Sequence, residues 1–392
     1  MKMWLLRTCA ASLCLTAGAA QAVEGITING FLTAGATYGD ARPLGNLGEN
    51  RTVSQDGNIT NRVGFTNDSR MGLQISAKVN PKIDVTGQLL ARGSSDDFNM
   101  KADWAFVTYH VNEPLALRMG KVKLTTFLIS DYIEVGFAYP WIRPPQEVYS
   151  SNPISTINGV DMLLRFNVGD AVFLFQPYFG QSKGAEALMP QEAIPAYNFF
   201  FDPDLPPGTV LNVGFTADHM VGVNTSFGTD AFSVRGGWLT TQVGAPLFGV
   251  VDDDVKFASA GFTVDWMNIV MYSEYFRRII DGGANLAFPN QKGFYGTLGY
   301  RIGKFLPHVT YADLRDYNDP VGPFGDVPLI QKSITAGFRY ELGSGAALKV
   351  EAQQVQPEDG TRGLLIADPN GAFSSDPDDK VMIYSLAVDV VF

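Results

Sequence analysis

The sequence predicts an all-β fold, a transmembrane antiparallel β-barrel of sixteen strands, on three observations. Apolar and polar residues alternate in short segments along the chain. The connections between those segments alternate between short and long. After the first 22 residues, no apolar run approaches the ~18 residues that a membrane-crossing helix needs.

The segments follow in order. Ile26, Ile28, Leu32, Ala34 and Tyr38 mark the first. Met71, Leu73, Ile75, Ala77 and Val79 mark the second, with Arg70, Gln74, Ser76 and Lys78 opposite. Ile83, Val85, Leu89 and Ala91 mark the third, opposite Asp84, Thr86, Gln88 and Arg92. Side chains two apart share one face of a strand, so each set defines a lipid-compatible face and a polar one. The fourth (101–112) and fifth (115–124) segments are less regular. Val160, Met162, Leu164, Phe166 and Val168 mark the sixth, and Phe173, Phe175 and Phe179 the seventh. Over 209–228 the apolar residues Leu211, Val213, Phe215, Ala217, Val221, Val223 and Phe227 are all odd-numbered, which predicts one long eighth strand without a phase break. Further segments occupy 230–241, 255–266, 268–280, 291–302, 304–315, 331–342, 346–357 and 380–392.

Short turns are expected near Asn80-Pro81, Asn112–Pro114, Gly169-Asp170, Gly228–Asp230, Trp266–Asn268, Gly303 and Gly343–Gly345. Long connections are expected at 40–67, 93–99, 125–158, 181–208, 242–254, 281–290, 316–330 and 358–379. This rhythm, with an even strand number, belongs to bacterial barrels and has no counterpart in a soluble sandwich. It puts both termini on the periplasmic side. No fixed-period repeat, linker or second domain interrupts residues 23–392.

The first 22 residues have the pattern of a secretory signal peptide. Lys2 and Arg7 precede or interrupt an apolar run ending at Ala20, and Ala20-Gln21-Ala22 is a cleavage pattern. Both cysteines, Cys9 and Cys14, lie in it, so the remaining chain is expected to form no disulfide. That chain carries 27 basic and 40 acidic residues, a net charge of −13. Such a balance argues against nucleic acid as a partner, because counterion release needs clustered cations.

At the other end, Tyr384, Leu386, Val388, Val390 and the terminal Phe392 fall on alternate positions. This resembles the C-terminal signature of outer-membrane barrels. Together with the sixteen segments, "YSLAVDVVF" and "NRVGFTNDSRMGLQISAKV", it makes the chain resemble the Gram-negative general and substrate-selective porins. The resemblance implies location in the bacterial outer membrane, a homotrimer of barrels with water-filled pores, and a third long loop folded inward to narrow each pore.

The third long loop here is about 125–158. It holds Phe127, Tyr132, Phe137, Tyr139, Trp141 and Tyr149, with Pro140, Pro144 and Pro145. So many aromatics would leave a large apolar patch if extended into water, so a loop packed against the barrel wall is expected. Its acids are Asp131, Glu134 and Glu147, set against Arg143. It lacks the dense acidic cluster of the cation-selective relatives.

Strand phase turns Arg70, Arg92, Arg165, Arg235, Arg301 and Arg339 toward the interior, with Arg118 and Arg278 added where the alternation is less regular. Inward acids are Asp84, Asp161, Glu274, Glu341, Glu351 and Asp389. Arginine stays charged and presents a planar fork to carboxylate or phosphate, so the set is expected to favour small anionic solutes such as carboxylates. The alternative is that these arginines only pair with the inward acids.

Further partners are expected in membrane lipid and lipopolysaccharide, which divalent cations at Asp252-Asp253-Asp254 and at Asp376, Asp378 and Asp379 could bridge. Such charge runs are more often simply solvated loops, and Asp252-Asp253-Asp254 matches no calcium-loop spacing. Tyr38, Trp104, Trp238, Trp266 and Tyr300 suit interfacial girdles. No catalytic residue, metal or cofactor is assigned. The three histidines, His110, His219 and His308, lack a recognisable Ser or metal motif, which argues against a barrel hydrolase. A non-conducting receptor or adhesin barrel is the other alternative. It would not need the inward arginines, and an energy-coupled receptor would need a plug domain for which 23–25 leave no room.

Overall fold

The protein is described from a computed structural model, in which residues 25–40, 51–54, 57–59, 62–94, 97–188, 212–246, 250–282, 289–317, 329–358, 363–366 and 380–392 are placed. The proposed signal segment 1–22 and the acids Asp376, Asp378 and Asp379 lie outside the described residues.

Sixteen antiparallel strands close into one barrel. In chain order they are β1 (Ile26–Gly39), β2 (Arg70–Asn80), β3 (Ile83–Ser94), β4 (Asp97–His110), β5 (Leu115–Lys123), β6 (Thr156–Val168), β7 (Ala171–Leu188) and β8 (Asn212–Gly228). Then follow β9 (Phe232–Ala245), β10 (Val250–Trp266), β11 (Ile269–Ile280), β12 (Gln291–Tyr300), β13 (Phe305–Asp316), β14 (Gln331–Gly343), β15 (Ala346–Pro357) and β16 (Val381–Val391). Each strand pairs with its sequence neighbours, and β1 pairs with β16 to close the ring. Closure leaves no unpaired edge, which a hydrocarbon environment requires. At the seam, Gly30 and the terminal Phe392 exchange two backbone hydrogen bonds of 2.7 and 2.9 Å. Three short strands outside the barrel, Arg51–Ser54, Gly57–Ile59 and Leu365–Ile366, form a small separate sheet.

The alternation read from the sequence has its physical origin in the two faces. Ile28, Met71, Ile75, Leu298, Val309, Ile334 and Leu386 point outward and are exposed. Their neighbours Thr33, Arg70, Thr297, Thr310, Ser333 and Ser385 point inward and are buried. Tyr38, Trp238, Trp266 and Tyr300 are on the outer surface, as a girdle requires. Trp104 is not: its ring packs 6.3 Å from that of Phe106, whose face holds the lumenal Arg118.

Two sequence expectations change. The strands run further than their apolar pattern, so β3 and β4 are separated only by residues 95–96, and β9 and β10 only by 247–249 once the turn at 246 is passed. The strict long-short rhythm therefore fails at these two places, and Asp252-Asp253-Asp254 belongs to β10 rather than to a loop. The eighth strand is indeed one element, but its phase is not continuous. The register shifts between Asp218 and Val221, and His219 takes a φ of 51°. Such a bulge inserts one residue and reverses the faces beyond it. Phe215 and Ala217 are buried before the bulge, whereas Val221 and Phe227 are exposed after it.

Candidate functional site

Residues 124–155 join β5 to β6 and contain two 3-10 turns, Ser130–Tyr132 and Gly136–Ala138, and the short helix α1 (Gln146–Tyr149). The segment is closely tied to inward-facing groups around the ring. The backbone N–H of Leu128 donates to Glu274 on β11 at 2.7 Å, and the Tyr149 hydroxyl donates to the other oxygen of that carboxylate at 2.9 Å. The indole N–H of Trp141 lies 3.0 Å from both Thr297 on β12 and Thr310 on β13. The backbone N–H of Ile142 donates to Glu351 on β15 at 3.0 Å. Lys349 donates from its ammonium to the carbonyls of Gly136 and Trp141, each at 2.6 Å, and pairs with Asp389 on β16 at 2.8 Å. Its ammonium also sits 4.8 Å above the Tyr139 ring. Because every buried polar group must find a partner, these anchors and the aromatic packing together determine where the segment lies.

The aromatics expected to pack do so. Phe127 meets Phe257 and Phe276 edge-on at 5.5 and 6.5 Å, and Trp141 meets Tyr272 and Tyr295 at 4.8 and 5.6 Å. Trp141, Tyr139 and Tyr149 are essentially fully buried.

The charged residues singled out from the sequence fall into three groups. On the β2–β5 wall, Arg92 grips Glu134 with two hydrogen bonds, Nε to Oε2 at 3.0 Å and Nη2 to Oε1. Lys123 lies 3.5 Å from the same carboxylate and 3.1 Å from Asp103. Arg70, the cross-strand partner of Arg92, donates to the Tyr139 hydroxyl and adds its field to Glu134. Burial alone would raise the Glu134 carboxyl, but Arg92, Lys123 and Arg70 outweigh it and hold the group well below the usual carboxylate range. Lower on this side, Arg118 holds Asp161 in a two-pronged pair, and Gln176 donates to the same acid at 2.8 Å.

On the opposite wall Arg235 donates to Asp131 at 2.7 Å, to the Leu128 carbonyl at 3.1 Å and to Asn224 at 2.9 Å. Arg339 pairs with Glu341 at 2.6 Å, donates to the carbonyls of Phe137 and Tyr139, and stacks its guanidinium 4.4 Å above the Phe137 ring.

At the seam, Arg143 is not set against the acids of its own loop. It pairs with Asp68 of the first long connection and donates to Ser385 at 2.7 Å and to Thr37 at 3.3 Å. Glu147 is fully buried and receives a 2.8 Å hydrogen bond from Gln331, with no cation paired to it among the described residues. Burial pushes its carboxyl up, against the pull of that hydrogen bond. Arg165 shares the inward phase of Asp161 but is exposed, with no side-chain partner among the described residues. Arg301 pairs with Asp265, both partly exposed, at 2.8 Å.

Sequence reasoning missed Asp68, Asp103, Lys123 and Lys349. Asp68 and Lys123 lie at strand ends or in loops, where phase carries no signal. Asp103 sits where the β3–β4 register shifts, and Lys349 reads as an ordinary polar position in β15. Of the histidines, His110 lies 2.7 Å from Asp84 and His308 is 3.8 Å from Glu351, while His219 occupies the bulge. Among the described residues no group of acids, histidines or cysteines has the geometry to hold a metal ion.

Comparison with known proteins adds the following. A family model described as Gram-negative porin matches residues 9–360. No curated protein sequence matches. Among solved structures, an anion-selective porin from Comamonas acidovorans is similar with a TM-score of 0.57 at 13% identity, over 94% of this chain and 99% of that one. OmpF of Salmonella typhi in complex with daunomycin is similar with a TM-score of 0.57 at 11% identity, over 94% and 97%. The outer-membrane channel DcaP of Acinetobacter baumannii gives 0.56 at 11% identity, over 94% and 97%. At these identities the likeness is one of fold.

Proposed function

The chain belongs to the Gram-negative porin family, whose members are outer-membrane channels, and we propose that it is a non-enzymatic pore for passive diffusion of small hydrophilic solutes, favouring anions. The observation that carries this reading is the anchoring of residues 124–155 to β3, β11, β12, β13, β15 and β16 by hydrogen bonds to inward-facing side chains. A loop so held is the pore's constriction. In it, Arg70, Arg92 and Lys123 face two acids, Glu134 and Asp103, so this wall keeps a positive surplus. A fixed surplus in a narrow low-dielectric passage concentrates counter-ions of the opposite sign. Elsewhere in the loop Asp131 and Arg143 are each paired with an opposite charge, and burial pushes the Glu147 carboxyl up, which leaves the β2–β5 wall to set the sign. The Comamonas acidovorans relative is described as anion-selective, in keeping with that choice.

The remaining parts of the reading follow the family. Residues 1–22 are removed on export, the mature barrel assembles as a homotrimer in contact with lipid and lipopolysaccharide, and both termini lie in the periplasm. A trimer form is described for the Vibrio cholerae OmpT relative.

Planar-bilayer recording under a potassium chloride gradient tests the function. The purified protein is expected to insert in discrete conductance steps with a reversal potential of anionic sign. That potential should move toward zero in Arg92→Ala and Lys123→Ala. A cation-selective channel, or one whose potential ignores both changes, refutes the anion preference. A protein that forms no channels refutes the pore.

A further inference from the structure

The interior of a water-filled barrel is ordinarily polar, and one section of this wall is mainly apolar. Across β8 to β11 the inward positions carry Phe215, Met220, Leu239, Val243, Val255 and Phe257, all buried. The bulge at His219 makes this possible by turning both Phe215 and Met220 inward from opposite phases of one strand. The base of the third long loop, through Leu124 and Ile154, covers part of this wall but does not fill the space in front of it. A narrow cavity remains, about 50 Å³ in volume and open at its mouth.

Among the described residues one charged side chain lines it. Arg278 on β11 is 8% exposed. Among the described residues its guanidinium donates only to neutral acceptors: the Pro289 carbonyl at 3.2 and 2.8 Å, Gln291 at 2.7 Å, and the Ser151 carbonyl. No carboxylate lies within ion-pair distance of it among the described residues; by register the acid on this side is Asp316, two strands away. Among the described residues four of its five N–H groups find acceptors, and one on Nη1 does not. A buried cation that no carboxylate touches is costly even with the field of Asp316 acting from a distance, and an anion carried into the cavity would relieve that cost.

We propose that this cavity is a binding site for a monocarboxylate with a compact apolar body, an aromatic acid of benzoate size, with its carboxylate against Arg278 and its ring against Phe257, Leu239 and Val243. A single guanidinium suits a monoanion, and the apolar wall penalises a second charge or a bare hydrophilic acid. The inference rests on the channel reading only in taking the cavity to be reached from the pore.

Calorimetric titration of the full-length protein in detergent tests it, with benzoate, acetate and benzylamine as probes. Benzoate is expected to bind, and acetate and benzylamine at least tenfold more weakly. Arg278→Gln should weaken benzoate at least tenfold. So should Val243→Phe, which fills the cavity and leaves Arg278 in place. Benzoate binding no tighter than acetate, or unchanged in both variants, overturns the site; the wild-type comparison alone decides if neither variant folds. Bilayer recording separates the two readings. A barrel that conducts chloride but does not bind benzoate refutes the site and keeps the channel. One that binds benzoate and conducts nothing refutes the channel and keeps the site.

Discussion

Glu134 of the third long loop and Arg92 of β3 are locked in a two-pronged, largely buried ion pair, with Lys123 3.5 Å from the same carboxylate. Removing one partner of a buried pair leaves a charge without compensation, at a typical cost of ~3–5 kcal/mol. Lys123 and Arg70 remain near Glu134, so the cost in Arg92→Ala falls toward the lower end, about 3 kcal/mol. A lower unfolding temperature in detergent, together with a noisier open-channel current, is the expected signature.

The two buried acids of this loop respond to pH in opposite senses. Glu134 has a depressed native value. Its contribution is therefore present above its unfolded value, near ~4.3, and is lost only as pH falls through the much lower native one. Glu147 has a raised native value. Its protonated form is the favoured one, so stability is full below ~4.3 and is lost as pH rises through the native value. Glu147→Gln is thus expected to raise the unfolding temperature at pH 7 and to make no difference below about pH 4. Glu134→Gln should lower it at pH 7. Paired thermal melts at the two pH values read both effects, and like signs for the two variants would contradict them.

Trp141 joins the loop to β12 and β13 through one indole N–H and fills the space beside Tyr272 and Tyr295. Truncating a buried tryptophan to alanine removes the transfer energy and leaves a cavity, together ~3–5 kcal/mol. Trp141→Ala is expected to destabilise the barrel by about that much and to increase single-channel conductance. Trp141→Phe keeps the ring but strands Thr297 and Thr310 with each other at 2.7 Å, and should cost ~1 kcal/mol. Equal conductance in all three proteins would mean that the loop does not limit the pore.

His219 sits at the β8 bulge with a φ of 51°. A non-glycine residue in this region costs roughly 1–2 kcal/mol. His219→Gly should relieve most of that, offset in part by the greater freedom glycine has when unfolded. The net expectation is a small gain in unfolding temperature with unchanged conductance. Deleting His219 instead would rejoin the two phases, exchange the faces of one half of β8, and abolish folding.

The barrel was legible in the sequence because a membrane-spanning strand obeys two local rules, alternation and complete pairing. Ile28 against Thr33, or Leu386 against Ser385, declares its face without reference to any distant residue. The same logic correctly turned Arg92, Arg235 and Arg339 inward. It failed where one extra residue changes the period: Val221 and Phe215 share parity in the sequence but lie on opposite faces. It was also silent on partners. Arg143 and Glu134 are nine residues apart in one loop, yet one pairs with Asp68 and the other with Arg92. A loop's charges settle on whichever wall groups the closed ring brings within ~4 Å, and that proximity is a property of the whole barrel, not of the local chain.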